Sequence, residues 1–190
     1  MKNLIFPLLL TIFSCSSNNV KESLRIPATL YQIYDDYPKG YIDSMYHLDY
    51  DRYVCMTFCV KNIAGKGVFF PLREKGSNIY TSAIELYYNG SAILAESKKR
   101  AYFKKDTLLS NDSTIFDIFI DKKQLKKLGI KDNIPIESIC QNLRFKYKHT
   151  MSDQSKSELP ICDIDFKLNK NIKFYYREWE NTSIEYDFGR

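Results

Sequence analysis

Histidine and tryptophan are scarce in this sequence, with two His and one Trp in 190 residues. So little imidazole argues against a histidine-rich metal centre, and His47 and His149 stand alone. Gly-x-Ser-x-Gly, His-Glu-x-x-His and a Walker glycine loop are all missing, which removes the readily recognised hydrolases and nucleotide enzymes. No apolar run approaches the ~20 residues of a membrane-spanning helix. Strand and helix patterns do not alternate, which argues against a parallel nucleotide-binding sheet. There is no internal repeat and no low-complexity segment.

What is present is a chain able to build a core. It is 44% hydrophobic, 27% charged and 15% aromatic, with 15 Tyr and 12 Phe. These fractions exclude a disordered chain, and the length suits one domain better than two.

The N-terminus carries the strongest signal. Lys2 precedes an apolar stretch over residues 4–13, broken only by Pro7 and Thr11, and Ser14-Cys15-Ser16-Ser17-Asn18-Asn19 follows. A positive start, a short apolar region and a small residue before a cut form a secretory signal. Ile12-Phe13-Ser14-Cys15 resembles the lipobox of bacterial lipoproteins, in a loose form similar to that of Bacteroidetes-type lipoproteins. The resemblance implies cleavage before Cys15, a diacylglycerol on its thiol and a polar tether to residue 24. Ser16 in place of Asp carries no inner-membrane retention signal, so the implied location is the outer membrane, facing the periplasm or the surface. The expected organisation is a signal peptide at 1–14, lipidated Cys15 and tether at 15–24, and a domain at 25–190.

Cleavage removes Lys2 and lowers the formal charge from +5 to +4. That is too mild for dedicated nucleic-acid binding. Cys55, Cys59, Cys140 and Cys162 remain. Outside the cytoplasm they are permitted to form disulfides, in any of three pairings, or to stay as buried thiols. Cys55 and Cys59 cannot bridge to each other on one strand, where four residues span ~13 Å.

Period-two alternation recurs along the chain. Val54, Met56, Phe58 and Val60 share one face of a strand, Val68-Phe69-Phe70-Pro71 makes a short one, and Phe116, Ile118 and Ile120 line another. Asn89-Gly90 between apolar runs predicts a two-residue hairpin pairing Tyr88 with Ser91 and Leu86 with Ile93. Asp121 and Gln124 have capping-box spacing before Leu125 and Leu128, and Gly129 suits a C-terminal cap, so a short helix is expected at about 122–128. Leu143, Phe145 and Tyr147, then Ile164, Phe166 and Leu168, suggest a hairpin. It would set Phe145 against Ile164, Leu143 against Phe166, Lys146 against Asp163 and Arg144 against Asp165. A turn at Asn169-Lys170-Asn171 and a last strand at 182–188 complete an all-β chain, read as an antiparallel immunoglobulin-like β-sandwich with one short helix. The stretch YVCMTFCVKNIAGKGVFFP, residues 53–71, resembles the strand, Asn-turn, strand of extracytoplasmic immunoglobulin-like modules.

Residues 31–53 are the candidate binding segment. Tyr31, Tyr34, Tyr37, Tyr41, Tyr46 and Tyr50 are interleaved there with aspartates. Tyrosine rings stack on sugar faces or fill protein interfaces, and carboxylates accept from hydroxyls. The competing reading is a long irregular segment packed against the domain. Asp49-Tyr50-Asp51 lacks the remaining ligands of a calcium loop. Asp163 and Asp165 are spaced like a glycosidase pair but are more simply read as salt-bridged. The lysine clusters at 98–105 and 122–127 are read as solvated. Asp43-Ser44, Asp106-Thr107 and Asp112-Ser113 resemble sites of bacterial O-glycosylation.

The expectation is a non-catalytic, lipid-anchored module that binds protein or glycan and needs no cofactor. A proteinase-inhibitor-like module is the alternative, because one family of small inhibitors shares the immunoglobulin-like sandwich, and an envelope enzyme ranks third.

Overall fold

Alternating apolar residues decide which way each strand faces, and the curl of the sheet decides which strands become neighbours. A computed structural model describes residues 23–38, 52–74, 76–77, 79–100, 106–131 and 134–176. Its strands are β1 (Leu24–Pro38), β2 (Arg52–Lys61), β3 (Val68–Phe69), β4 (Ala83–Tyr88), β5 (Ser91–Lys99), β6 (Thr107–Leu108), β7 (Ser113–Asp121), β8 (Arg144–Lys148) and β9 (Cys162–Tyr176). Seven form one mixed sheet in the order β8-β4-β5-β7-β2-β1-β9, and β3 pairs with β6. Three short helices accompany them: α1 (Lys122–Lys127), α2 (Ile136–Cys140) and α3 (Met151–Gln154). The protein is all-β with a minor helical part. None of the described helices is long and apolar enough to cross a membrane.

The large sheet curls until its edges face each other. Phe145 of β8 and Phe166 of β9 come from opposite edges, yet their rings are 5.5 Å apart. Phe58 of β2 lies between them, 5.1 Å from Phe145 and 5.4 Å from Phe166, both edge-on, and stacks on Phe116 of β7 at 5.3 Å. Phe70 joins from beside β3, against Phe116 and Tyr147. Val54, Met56, Phe58 and Val60 are buried here, as are Phe116, Ile118 and Ile120.

Several local expectations hold. Tyr88 pairs with Ser91 and Leu86 with Ile93, and Asn89 and Gly90 both have positive φ, 46° and 83°. Both values belong to the left-handed region that this tight turn demands. Helix α1 has its capping box: the Asp121 side chain accepts from Lys123 N–H, and Gln124 reaches back to the Asp121 N–H. Gly129, with φ of 79°, follows its end. The Asn62 turn is tied by its amide, which donates toward the carbonyls of Lys66, Leu108 and Leu109 at 2.9–3.0 Å and accepts from Ala64 N–H at 3.0 Å.

Other expectations are corrected. The β8–β9 hairpin does not form. β8 pairs with β4, setting Glu85 against Lys146 and Leu86 against Phe145, and β9 runs parallel to β1, setting Ile26 beside Ile164 and Ala28 beside Phe166. Alternation fixes the inward face of a strand, but any strand of matching parity satisfies it, and so does any matching charge. Lys148 bonds Glu85 at 2.8 Å, while Asp165 takes Arg25 at 3.0 Å and Lys167 at 3.6 Å. The sheet is therefore not wholly antiparallel.

Asn169-Lys170-Asn171 does not reverse the chain. It is a bulge within β9, where the register jumps from Leu30↔Leu168 to Gln32↔Lys173, and Asn171 N–H donates to the Asn169 side chain at 3.1 Å. Residues 31–38, read as the start of a long irregular segment, belong to strand β1. α2 and α3 are additional helices, each too short to show a periodic stripe. The strand expected at 182–188 lies outside the described residues.

Phe58→Ala removes the ring that touches both sheet edges. It is expected to cost about 3–5 kcal/mol in urea unfolding, whereas Leu94→Ala, at a side chain 54% exposed, changes stability by less than about 0.5 kcal/mol. Equal effects of the two substitutions would contradict this account of closure.

Candidate functional site

A one-residue bulge in β1 sets up the outer-face tyrosines. The register against β2 jumps from Leu30↔Phe58 to Gln32↔Thr57, with Tyr31 as the extra residue. That resets the parity, so Ile33 points inward as Leu30 does, and Tyr34 lies on the outer face. Transverse neighbours there are Tyr175, Tyr34, Cys55, Phe119 and Glu96, taken from β9 across to β5.

Tyr34 and Tyr175 stack with centroids 4.6 Å apart and planes 18° apart. Tyr34 covers buried Cys55 and Phe119, and Tyr175 is 40% exposed. Next to them Arg100 grips Asp117 through two bonds of 3.0 and 3.1 Å and donates to Thr57 Oγ1 at 3.2 Å. Such bidentate pairs are fixed in geometry as well as charge. Burial raises the phenol pKa of Tyr31, which nearby Arg100 opposes, and burial together with Tyr175 raises that of Tyr34. Both phenols are neutral donors at physiological pH. The face therefore offers aromatic rings, neutral hydroxyls and a fixed guanidinium–carboxylate pair. Burial also raises the thiol pKa of Cys55 and, against the pull of Lys61, of Cys59, which keeps both as unreactive thiols.

Of the tyrosines singled out in the sequence, Tyr31 and Tyr34 are brought together here. Tyr37 falls within β1, paired with Tyr53. Tyr41, Tyr46, Tyr50, the Asp49-Tyr50-Asp51 stretch, His47 and Cys15 lie outside the described residues. Tyr175, Arg100, Asp117 and Phe119 were not anticipated at this site. Parallel pairing of β1 with β9 places Tyr175 against Tyr34, and no local pattern announces it.

Cys55, Cys59, Cys140 and Cys162 are free thiols. Cys140 and Cys162 belong to the main core and Cys55 to the smaller outer-face cluster. Asp163 and Asp165 do not form an enclosed carboxylate pair: Asp163 is exposed and Asp165 is held by Arg25 and Lys167. Among the described residues, no three His, Cys, Asp or Glu side chains gather as a metal would require.

A second polar cluster lies where the 70–82 segment meets β5 and α3. Lys99, expected to be solvated, is 2% exposed. Its ammonium bonds Asp106 at 2.6 Å and the Phe70 carbonyl at 2.5 Å, and sits 4.8 Å from the Phe70 ring centroid. Burial lowers its pKa against the pull of Asp106. Tyr80 O–H donates to the other Asp106 oxygen at 2.7 Å, and its own pKa is pushed up to about 12 by burial and by that bond. Asp106 is thus engaged in the Asp106-Thr107 motif, and Thr107 is half-buried in β6. Ser113 of the Asp112-Ser113 motif is exposed.

Asp153 of α3 is fully buried. It accepts from Ser82 N–H at 2.6 Å, Ser82 O–H at 2.7 Å and Thr81 N–H at 2.8 Å, and it meets Lys156 at 3.3 Å. Burial works to raise its pKa, but these donors overcome burial and hold it at about 2. The carboxylate is a structural pin between α3 and the start of β4.

Comparisons with protein-family models, curated proteins and solved structures find no match for the chain.

Two predictions follow from these geometries. A carboxyl with a depressed folded pKa stabilises above its unfolded value of ~3.9 and loses that contribution as pH falls through about 2. Urea midpoints measured from pH 5 down to pH 2 should therefore fall further for the natural chain than for Asp153→Asn, by roughly 2 kcal/mol of extra stability lost. Parallel curves would show that Asp153 is not the pin. For the thiols, unfolding without reductant should expose Cys55, Cys59, Cys140 and Cys162 to iodoacetamide, each gaining one adduct by mass. Missing adducts that appear only after reduction would mean a bridge.

Proposed function

We propose that the chain is a lipid-anchored, extracytoplasmic, non-catalytic binding module that takes a protein or glycan ligand on its outer face. The observation that carries this reading is the stacked, half-exposed Tyr34–Tyr175 pair beside Tyr31, mounted on the wall of a closed aromatic core. A rigid strand presents a ring at little further entropic cost on binding, and the amphipathic tyrosine serves an apolar sugar face or a peptide side chain equally well. Arg100 and Asp117 supply oriented polar partners at the margin.

The lipobox-like Ile12-Phe13-Ser14-Cys15 supports an acyl anchor, and the polar residues after it support a tether from the outer membrane. The immunoglobulin-like resemblance of residues 53–71 belongs to the same proposal, since that stretch supplies most of β2, the Asn62 turn and β3. The enzyme reading is not favoured, because the strongly perturbed carboxylate, Asp153, is saturated with internal donors.

The test has two arms. On a glycan array and in cross-linking to envelope proteins, Tyr34→Ala and Tyr175→Ala should each weaken the signal by about tenfold, as expected for loss of an aromatic anchor, with unchanged melting curves. Signals indifferent to both substitutions, or no signal in either assay, would overturn the binding reading. Separately, radiolabelled palmitate should enter the natural chain and not Cys15→Ser; an unlabelled natural chain would remove the anchor.

A further inference from the structure

The registers bring one set of strand ends together. Lys61 at the end of β2 lies opposite Ser113 at the start of β7, and Lys99 at the end of β5 lies opposite Phe116. Ala83 at the start of β4 faces Lys148 at the end of β8. β1 and β9 both begin at this end, where Leu24 pairs with Cys162 and its N–H donates to the Ile161 carbonyl at 3.2 Å. The connections 62–82, 100–112 and 149–161 therefore close the same end of the curled sheet, while the β4–β5 hairpin tip and α1 lie at the other.

Those connections carry the four most exposed large apolar side chains among the described residues: Met151 at 67%, Ile63 at 66%, Ile79 at 64% and Leu109 at 59%. Their backbones are braced. Ser110 O–H donates to the Ala64 carbonyl at 2.7 Å, and the Asn62 amide donates to the Leu109 carbonyl at 3.0 Å. The Thr81 and Thr150 hydroxyls bond at 2.7 Å, and Lys156 donates to the Ile79 carbonyl. Exposed charges of both signs stand among them, Lys61 and Lys66 with Asp112 and Glu158, so charge does not select what binds. A single exposed leucine needs no explanation, but four large apolar side chains gathered at one end mark a contact surface.

Where the chain enters the domain says what covers them. Eight residues, 16–23, separate Cys15 from Leu24. Fully extended they reach no more than ~28 Å, whereas β1, with 15 residues, runs roughly 45 Å. An acyl chain on Cys15 therefore holds this end, and not the hairpin end, next to the bilayer. We infer that this end of the domain sits on the lipid surface, with Ile63, Ile79, Leu109 and Met151 set into the boundary between headgroups and acyl chains. The inference rests on the acyl anchor proposed above. With that anchor already holding the chain, the four side chains need only decide which end faces the bilayer. Tyr34 stands about 33 Å farther along β1 than Leu24, so the tyrosine face is held clear of lipid and open to its ligand.

The test uses the full chain, purified from cells fed radiolabelled palmitate and reconstituted in phosphatidylcholine vesicles with bromines on the acyl chains near the headgroup. Trp179→Phe removes the natural fluorophore, and a single Trp is placed at Ile63, at Met151 or, as the far-end control, at Ala92. Each position is exposed, so melting curves should not change. Ile63→Trp and Met151→Trp should lose emission to the bromines, roughly twofold for side chains set ~5–10 Å into the interface, and Ala92→Trp should not. Proximity to the anchor alone would also bring this end near lipid, so a second variant separates the two causes. Adding Ile63→Asp/Leu109→Asp to Met151→Trp should abolish the quenching while the palmitate label remains. A labelled chain without quenching, equal quenching of all three probes, or quenching indifferent to the two aspartates overturns the lipid seat and leaves the anchor standing. An unlabelled chain removes the anchor and this inference with it. Blue-shifted emission that grows with protein density and ignores the bromines would assign the surface to a second copy and equally overturn it.

Discussion

Phe58 occupies the place where four strands must agree. Its ring stacks on Phe116 of β7, a neighbouring strand, and meets Phe145 and Phe166, which come from the two opposite edges of the sheet. A flat sheet would leave those two rings six strand spacings apart, or about 29 Å. Their contact therefore measures the curl directly. The curl in turn explains the placement of the apolar side chains, since Ile26, Ala28 and Leu30 of β1 and Ile84 and Leu86 of β4 are all buried in the one interior. Aromatic pairs add about 0.5–1.5 kcal/mol each beyond the area they bury, and here several converge on one ring. A scaffold closed in this way holds its outer face with little freedom, which is what a binding surface built from strand residues requires.

Closure also accounts for the buried charges. Where the 70–82 segment crosses the small sheet and approaches β5, backbone groups leave the ladders and need partners. The Lys99 ammonium satisfies the Phe70 carbonyl, and Asp153 satisfies the amides of Thr81 and Ser82. Each buried charge is neutralised nearby, Lys99 by Asp106 and Asp153 by Lys156. Pairs of this kind add little net stability over an apolar packing, yet removing one partner is costly. They are best understood as fixing where non-repetitive segments cross a sheet whose own hydrogen bonds cannot do so.

Local chemistry was legible in the sequence, and partner choice was not. Asn89-Gly90 specifies its hairpin because only positive φ at both positions closes it, and Asp121 with Gln124 specifies α1 because the cap is made within four residues. The inward faces of β2 and β7 were legible for the same reason, through period two. The neighbours of β8 and β9 were not. Phe145 fits opposite Ile164 or opposite Leu86, and Lys146 is matched by Asp163 or by Glu85, so the pattern alone is degenerate. β1 was obscured further by its bulge at Tyr31, which breaks alternation midway and makes a strand read as irregular. The tyrosine site inherits that degeneracy: Tyr31 and Tyr34 could be singled out from composition, whereas Tyr175 and Arg100 arrive only through long-range register.

The handover of β5 from β4 to β7 is the geometric counterpart of the closure. Strands in a strongly curled sheet are staggered rather than side by side along their whole length, because tilt and shear accompany curvature. The stagger brings Glu96, Ser97 and Lys98 beside β7 while Leu94 and Ala92 are still paired to β4 on their other side. On the other flank of β7, Ile120 and Asp121 stay paired to Val54 and Tyr53 of β2 until the chain turns into α1. Natural sheets protect their outer strands with charge, and lysines stand on β9 at Lys167, Lys170 and Lys173 as they do on β8 at Lys146 and Lys148.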